Sequence, residues 1–221
     1  MKTSAALPYR DDEISNLLRR AEVLVENRNI EGLKDLQRIV WRQLQSRFML
    51  QPYLVSDHSS WDPIWLYDFT FECLEPSVSD LYSIIDSAYV DLSSDPVITS
   101  PWHPQRITRN LGMIGDGMPC GPFEESSNHS ASYCWPLNVA LVTGGNHSIA
   151  QGILRGQGRV KVEECYDFTP IIEQVFFDGI EWALICSGQK LGQPRFKEIG
   201  WAWELGRILM RHSTLELRQT V

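Results

Sequence analysis

The chain has 221 residues, 43% of them apolar and 22% charged, with a net charge of −8. That length buries a core without disulfide or metal staples and suits one large domain, or a compact domain with a helical extension. No apolar run approaches the roughly 20 residues of a membrane helix, and Met1 to Arg10 hold no apolar signal stretch. A cytoplasmic protein without membrane insertion is therefore expected. Cys73, Cys120, Cys134, Cys165 and Cys186 are widely spaced and form no CxxC pair, so neither a zinc knuckle nor a thioredoxin-type site is suggested. Free thiols are the expectation.

The distribution of charge says more than its sum. Between Gln51 and Ser100 every charged residue is acidic: Asp57, Asp62, Asp68, Glu72, Glu75, Asp80, Asp86, Asp91 and Asp95. This argues against wrapping nucleic acid on that face, because phosphates would be repelled. It permits a basic protein partner, and it also suits plain solvated surfaces.

In chain order, Asp11 or Asp12 can cap a first helix, with Ile14, Leu17, Leu18, Ala21, Leu24 and Val25 at helical spacing. Asn27-Arg28-Asn29 breaks it. A second helix places Leu33, Leu36, Ile39, Val40 and Leu44 on one face and Arg38, Arg42 and Arg47 elsewhere. Residues 10–50 read as an antiparallel helical pair. Trp61, Trp65, Tyr67, Phe69 and Phe71 then predict a packed aromatic sub-core. Ser79 is expected to cap a short helix through Leu81, Ile84, Ile85 and Ala88.

Val97 to Ser100 reads as a strand and Pro101-Trp102-His103-Pro104 as a turn. A helix over Ile107–Ile114 follows, and a Gly-, Pro- and Ser-rich loop runs to about Tyr133. Leu137 to Val142 reads as a buried strand, Ile149 to Leu154 as a helix, and Arg159 to Glu163 as an alternating strand. Ile171 to Phe177 suits a strand or short helix, Trp182 to Cys186 a strand, and Phe196 to Met210 an amphipathic helix.

The strongest chemical signal is Gly144-Gly145-Asn146-His147-Ser148, between a strand and a helix. Glycines there let backbone N–H groups point outward together, and a helix amino end adds partial positive charge, so the turn suits an anion. Ser148 can bond a phosphate or cap the helix, His147 can donate to a phosphate, and Asn146 can fix the turn. An ordinary strand–helix turn has the same local pattern.

The stretch from Trp135 to Ala150, continuing through Gly152, Gly156 and Arg159 to Val162, resembles the ParB/sulfiredoxin fold. That family has a strand, a glycine-rich loop ending in GxRR, GxHR or GCHR, a helix, a turn and a strand. Pro104-Gln105-Arg106 looks like its first conserved box, with Arg106 in the position of a phosphate-holding arginine. The likeness spans roughly residues 95–165. Asn146 stands where sulfiredoxin has its attacking cysteine, which argues against that chemistry. His147 and Ser148 stand where partition ParB proteins have two arginines, and no helix-turn-helix follows, which argues against a centromere-binding clamp.

The chain is similar overall to fertility-inhibition proteins of conjugative plasmids, of the Osa and FiwA type. The resemblance implies an α/β (α+β) protein with a ParB/sulfiredoxin-like core at 91–221, ending in a helix, and an N-terminal helical region at 1–90. It implies ATP binding and hydrolysis, metal-dependent DNA cleavage, and interference with a rival plasmid's type IV secretion system.

On this reading the nucleotide site is Arg106, Gly144, Gly145, Asn146, His147 and Ser148, with Asn146, His147 and Glu163 as catalytic candidates. Glu164 and Asp116 are the candidate ligands for Mg²⁺ or another divalent cation, since that ion takes a few carboxylates plus phosphate oxygens. Solvated surface acids, and an Asp-Gly turn at Asp116, are the plainer readings. Arg106, Arg109, Arg155, Arg159 and Lys161 are expected to converge if DNA is bound. His103 is a further acid or base candidate. A second triplet, Asn128-His129-Ser130, is explained by polar loop composition. The competing reading is a non-catalytic protein that occupies a coupling protein of the secretion system through its helical or acidic surface.

Overall fold

The Asp11 carboxylate accepts the Glu13 N–H at 2.8 Å and so starts helix α1 (Asp12–Glu26), which buries Ile14, Leu18 and Ala21. The chain breaks where the sequence places the break, with Arg28 in the left-handed region (φ 56°). Asn29 then caps α2 (Ile30–Leu54) by accepting the Gly32 N–H. The second helix runs past residue 50 and buries Leu33, Val40, Trp41, Leu44 and Phe48. Ile39, expected on its apolar face, is 59% exposed. This computed structural model describes residues 9–56, 62–214 and 218–219. Trp61 of the expected aromatic sub-core lies outside the described residues.

Two short 3₁₀ turns, Leu66–Phe69 and Val78–Leu81, carry the chain to the sheet. The helix expected from Ser79 to Ala88 is absent. Ser77 and Asp80 close the second 3₁₀ turn, and Tyr82–Asp91 is a long strand, β1. It is followed by β2 (Val97–Ile98) and by α3 (Pro104–Arg109), shorter than the expected helix and begun by Pro104 itself. Proline has no N–H to lose at a first helical position. The expected loop up to Tyr133 ends earlier, because Ser130–Trp135 forms β3.

Then come β4 (Val139–Gly144), α4 (Asn146–Arg155), β5 (Arg159–Asp167), α5 (Thr169–Ile172), β6 (Val175–Phe177), β7 (Trp182–Leu184), β8 (Lys190–Gly192), α6 (Lys197–Leu209) and β9 (Arg218–Gln219). The segment 171–177 thus supplies both the helix and the strand that its pattern left open. Glu163 and Glu164 lie inside β5 rather than at its end.

The architecture is mixed α/β. A six-stranded sheet has the order β2-β4-β3-β5-β1-β9, with β2–β4 and β3–β5 parallel and the other pairs antiparallel; β6, β7 and β8 form a small antiparallel sheet. The larger core cluster joins Cys134, Val139 and Leu141 of the sheet to Ile14, Trp41, Leu44, Ile199 and Trp203 of the α1, α2 and α6 helices. A smaller cluster joins Ala131, Ala140, Val160 and Val162 to Ile149 of α4 and to Phe123. β1 runs across position 90, and the N-terminal helices share their core with α6.

Buried polar groups fix these layers. Gln37 donates to the carbonyls of Pro136 and Ala202 and accepts from Asn138, tying α2 to the β3–β4 turn and to α6. The ion pair Arg207–Glu204 (2.9 Å) is fully enclosed. Its arginine donates to the carbonyls of Ile172 and Val175, and its carboxylate accepts from Tyr9 and the Phe177 N–H. Removing one partner of such a pair strands the other without solvent, a cost of about 3–5 kcal/mol. Arg207→Met should therefore lower the unfolding free energy by about that amount in urea titrations, while an exposed control such as Glu22→Gln should be near neutral.

Candidate functional site

The β4–α4 turn is built by close approach. Gly145 has φ 77°, the left-handed region that favours glycine. A Cβ on Gly144 would lie 2.7 Å from Ser130 Oγ and 2.8 Å from the Asn128 carbonyl, and one on Gly145 would meet the His129 ring. The start of β3 therefore packs directly onto both glycines.

The Asn146 side chain fastens this turn to the end of β2. Its Oδ1 accepts from Thr99 Oγ1 and from the Ser100 N–H, both at 2.9 Å. His147 Nε2 accepts the His103 N–H at 3.1 Å, joining α4 to α3. Ser148 Oγ donates to the Gly145 carbonyl at 3.0 Å. The first backbone bond of α4 is Ile149 N–H to Gly145 C=O. The amides of Asn146, His147 and Ser148 precede it and have no acceptor among the described residues.

The two Asn-His-Ser triplets meet in space. His129 Nδ1 accepts the Ser126 N–H, so a neutral ring carries its proton on Nε2 and donates to Ser148 Oγ at 2.7 Å. This is the opposite polarity to a Ser–His pair in which histidine takes the serine proton. Phe123 stacks on the ring at 5.0 Å. The contact joins the histidine of one triplet to the serine of the other.

The remaining candidate residues disperse. Arg106 lies exposed on α3, near enough to disfavour a positive charge on His147. Asp116 exchanges two hydrogen bonds with Gln157, beyond the carboxyl end of α4. Glu164 lines a cleft with Asn146 at the other end. A ten-residue helix is about 15 Å long, so Asp116 and Glu164 do not share an ion. Among the described residues no group of three or more His, Cys, Asp or Glu converges. Glu163 is exposed and pairs with Lys161 at 2.8 Å. Arg155 packs against Gly115 at the carboxyl end of α4, and Arg159 covers the Tyr89 ring and pairs with Asp91. The five basic residues therefore form no single groove beside the loop.

Irregular pairing opens the sheet at the same end. Between Ser130 and Ala131 of β3, β4 advances by two residues, from Gly144 to Val142. Between Ala131 and Ser132, β5 likewise advances from Val162 to Glu164. Such bulges re-aim side chains and recur beside functional sites. Here the extra residue Glu163 brings Glu164 opposite Ser132, whose hydroxyl donates to Glu164 Oε2 at 2.7 Å.

These features define a mixed α/β protein whose α4 has three amides without an acceptor among the described residues, and a cleft at the bulged end of its sheet. The chain belongs to DUF6710, a family of unknown function whose model matches residues 6–215. No curated protein and no solved structure matches it. Among the described residues no helix is long and apolar enough to cross a membrane.

Burial lowers the pKa of both histidines, helped at His147 by the Arg106 charge and opposed at His129 by Glu125. Each folded value lies below the ordinary 6.5, so their stabilising contribution is complete above that pH and is lost as pH falls through the lower folded values. Protonation removes the acceptor lone pairs that His103 N–H and Ser126 N–H use. The thermal midpoint should hold steady just above neutrality and fall below about pH 6.5. A His129→Gln, His147→Gln double variant should show a shallower acid limb in the same melting series.

Proposed function

We propose that this chain binds a nucleotide through its phosphates at the amino end of α4, with ATP as the nucleotide that the ParB/sulfiredoxin resemblance implies. The observation that carries the reading is the trio of unpaired amides at Asn146, His147 and Ser148, beside the exposed Arg106. Three convergent N–H groups and a helix dipole favour an anion, and a guanidinium adds charge-assisted bonds. The Thr99–Asn146 and His103–His147 bonds hold the turn before any ligand arrives, which reduces the ordering cost of binding. Through the same resemblance, the role proposed is that of a fertility-inhibition protein acting in the cytoplasm against a rival plasmid's type IV secretion system.

Binding is better supported than turnover. Asn146, His147 and Ser148 already spend side-chain atoms on internal bonds, and Glu163 pairs with Lys161 on β5. ATP hydrolysis and DNA cleavage rest on the resemblance alone. Mg²⁺ enters as the counter-ion of the nucleotide, because Asp116 and Glu164 do not converge. The same commitments favour a second reading, a non-catalytic protein that occupies a coupling protein of the secretion system.

ATP titration by calorimetry, with and without Mg²⁺, tests the proposal. Arg106→Ala should weaken ATP about tenfold, the scale of one charge-assisted contact. Asn146→Ala should weaken it further by loosening the turn. Phosphate release that stays at background while ATP still binds would select the non-catalytic reading. Equal affinity in wild type and both folded variants would remove the phosphate site altogether.

A further inference from the structure

We propose that the cleft above Glu164 is a docking site for an arginine-bearing extended polypeptide segment, on a partner of basic character. The proposal is independent of phosphate binding at α4. It gives the acidic surface of the second reading above a defined seat.

The cleft, ≈ 310 Å³, has Trp65, Tyr67, Val78 and Leu141 among its walls. Ser132, Thr143, Asn146, Glu164 and the Tyr166 hydroxyl are among its polar groups, and no basic residue lines it among the described residues. Ser132 and, more loosely, Tyr166 (3.5 Å) both donate to Glu164 Oε2. Glu164 Oε1 has no partner among the described residues. The carboxylate is therefore oriented, half-buried and short of one donor.

Aromatic faces around a carboxylate match a guanidinium. Its plane stacks on a phenol ring, its N–H groups reach a carboxylate oxygen, and it loses less hydration than an ammonium. Tyr67 is 77% exposed and Tyr82 is 41% exposed, large apolar surfaces held in water at the edge of the site.

The shape argues for a chain rather than an isolated small cation. Glu164 also lines two adjoining grooves, ≈ 660 Å³ toward Ser130 and Glu125 and ≈ 780 Å³ toward Glu72, Glu75 and Tyr82. All three hollows share Glu164 in their walls. Among the described residues, their charged lining is Glu72, Glu75, Glu125, Glu163 and Glu164 against Lys161. The lining residues between Pro63 and Tyr82 come from a stretch, 51–100, that carries no Lys or Arg. A second copy of this chain, with net charge −8, would meet like charge there.

Fluorescence anisotropy with a short labelled peptide of alternating Arg and Gly tests the proposal on the full chain. Wild type should bind it, and a peptide with Glu in place of Arg should not bind. Glu164→Gln, which keeps the Ser132 bond and removes the charge, should weaken binding about tenfold. Tyr67→Ala should weaken it as well, and Glu22→Gln on the exposed face of α1 should leave it unchanged. Circular dichroism establishes that each variant is folded. Wild-type affinity in folded Glu164→Gln and Tyr67→Ala would overturn the site. An equal loss in Glu22→Gln would show diffuse attraction instead and overturn it too. If free agmatine displaces the peptide at matching concentration, the occupant is a small amine and the peptide proposal fails. ATP binding measured on the same proteins reports separately on α4.

Discussion

The β4–α4 junction closes only because Gly144 and Gly145 carry no side chain. Ser130 Oγ, the Asn128 carbonyl and the His129 ring occupy the space where their Cβ atoms would be. That contact sets where β4 stops, lets Gly145 turn left-handed, and starts α4 with Asn146 against Thr99 and Ser100. From there Ile149 is delivered into the smaller core with Val160 and Val162. The unpaired amides of α4 follow from the same packing.

The sheet is correspondingly divided in character along its length. Toward the β3–β4 turn it is tightly specified, with Gln37, Asn138 and Tyr133 linked by buried and half-buried hydrogen bonds. At the opposite end the bulges on β4 and β5 flank the first residues of β3. Polar side chains that would otherwise alternate across the sheet gather there: Ser130, Ser132, Thr143 and Glu164. A partly satisfied polar cluster costs stability in a core, and it is tolerated where solvent or a ligand completes it.

Much of this was legible from periodicity. α1, α2 and α6 follow their apolar spacing, because helices that pack on one face must repeat that face. The β4–α4–β5 order was legible because glycines bound α4 at both ends. β1 was not: Leu81, Ile84, Ile85 and Ala88 have helical spacing, yet the segment is a strand whose register slips between Ile84 and Ala88. The slip breaks the period of two that would have announced a strand. β3 was hidden because its outer half is Ser, Ala and Ser, residues chosen for close approach to glycines and to Glu164 rather than for β-propensity. The His129–Ser148 contact depends on pairing β3 with β4, a long-range choice that no local pattern encodes.

The two candidate ligand features meet at Asn146. Its amide belongs to the first turn of α4, and the residue also lines the cleft that holds Glu164. The phosphate proposed at α4 and the guanidinium proposed at Glu164 are oppositely charged, so filling one site sets no like charge beside the occupant of the other.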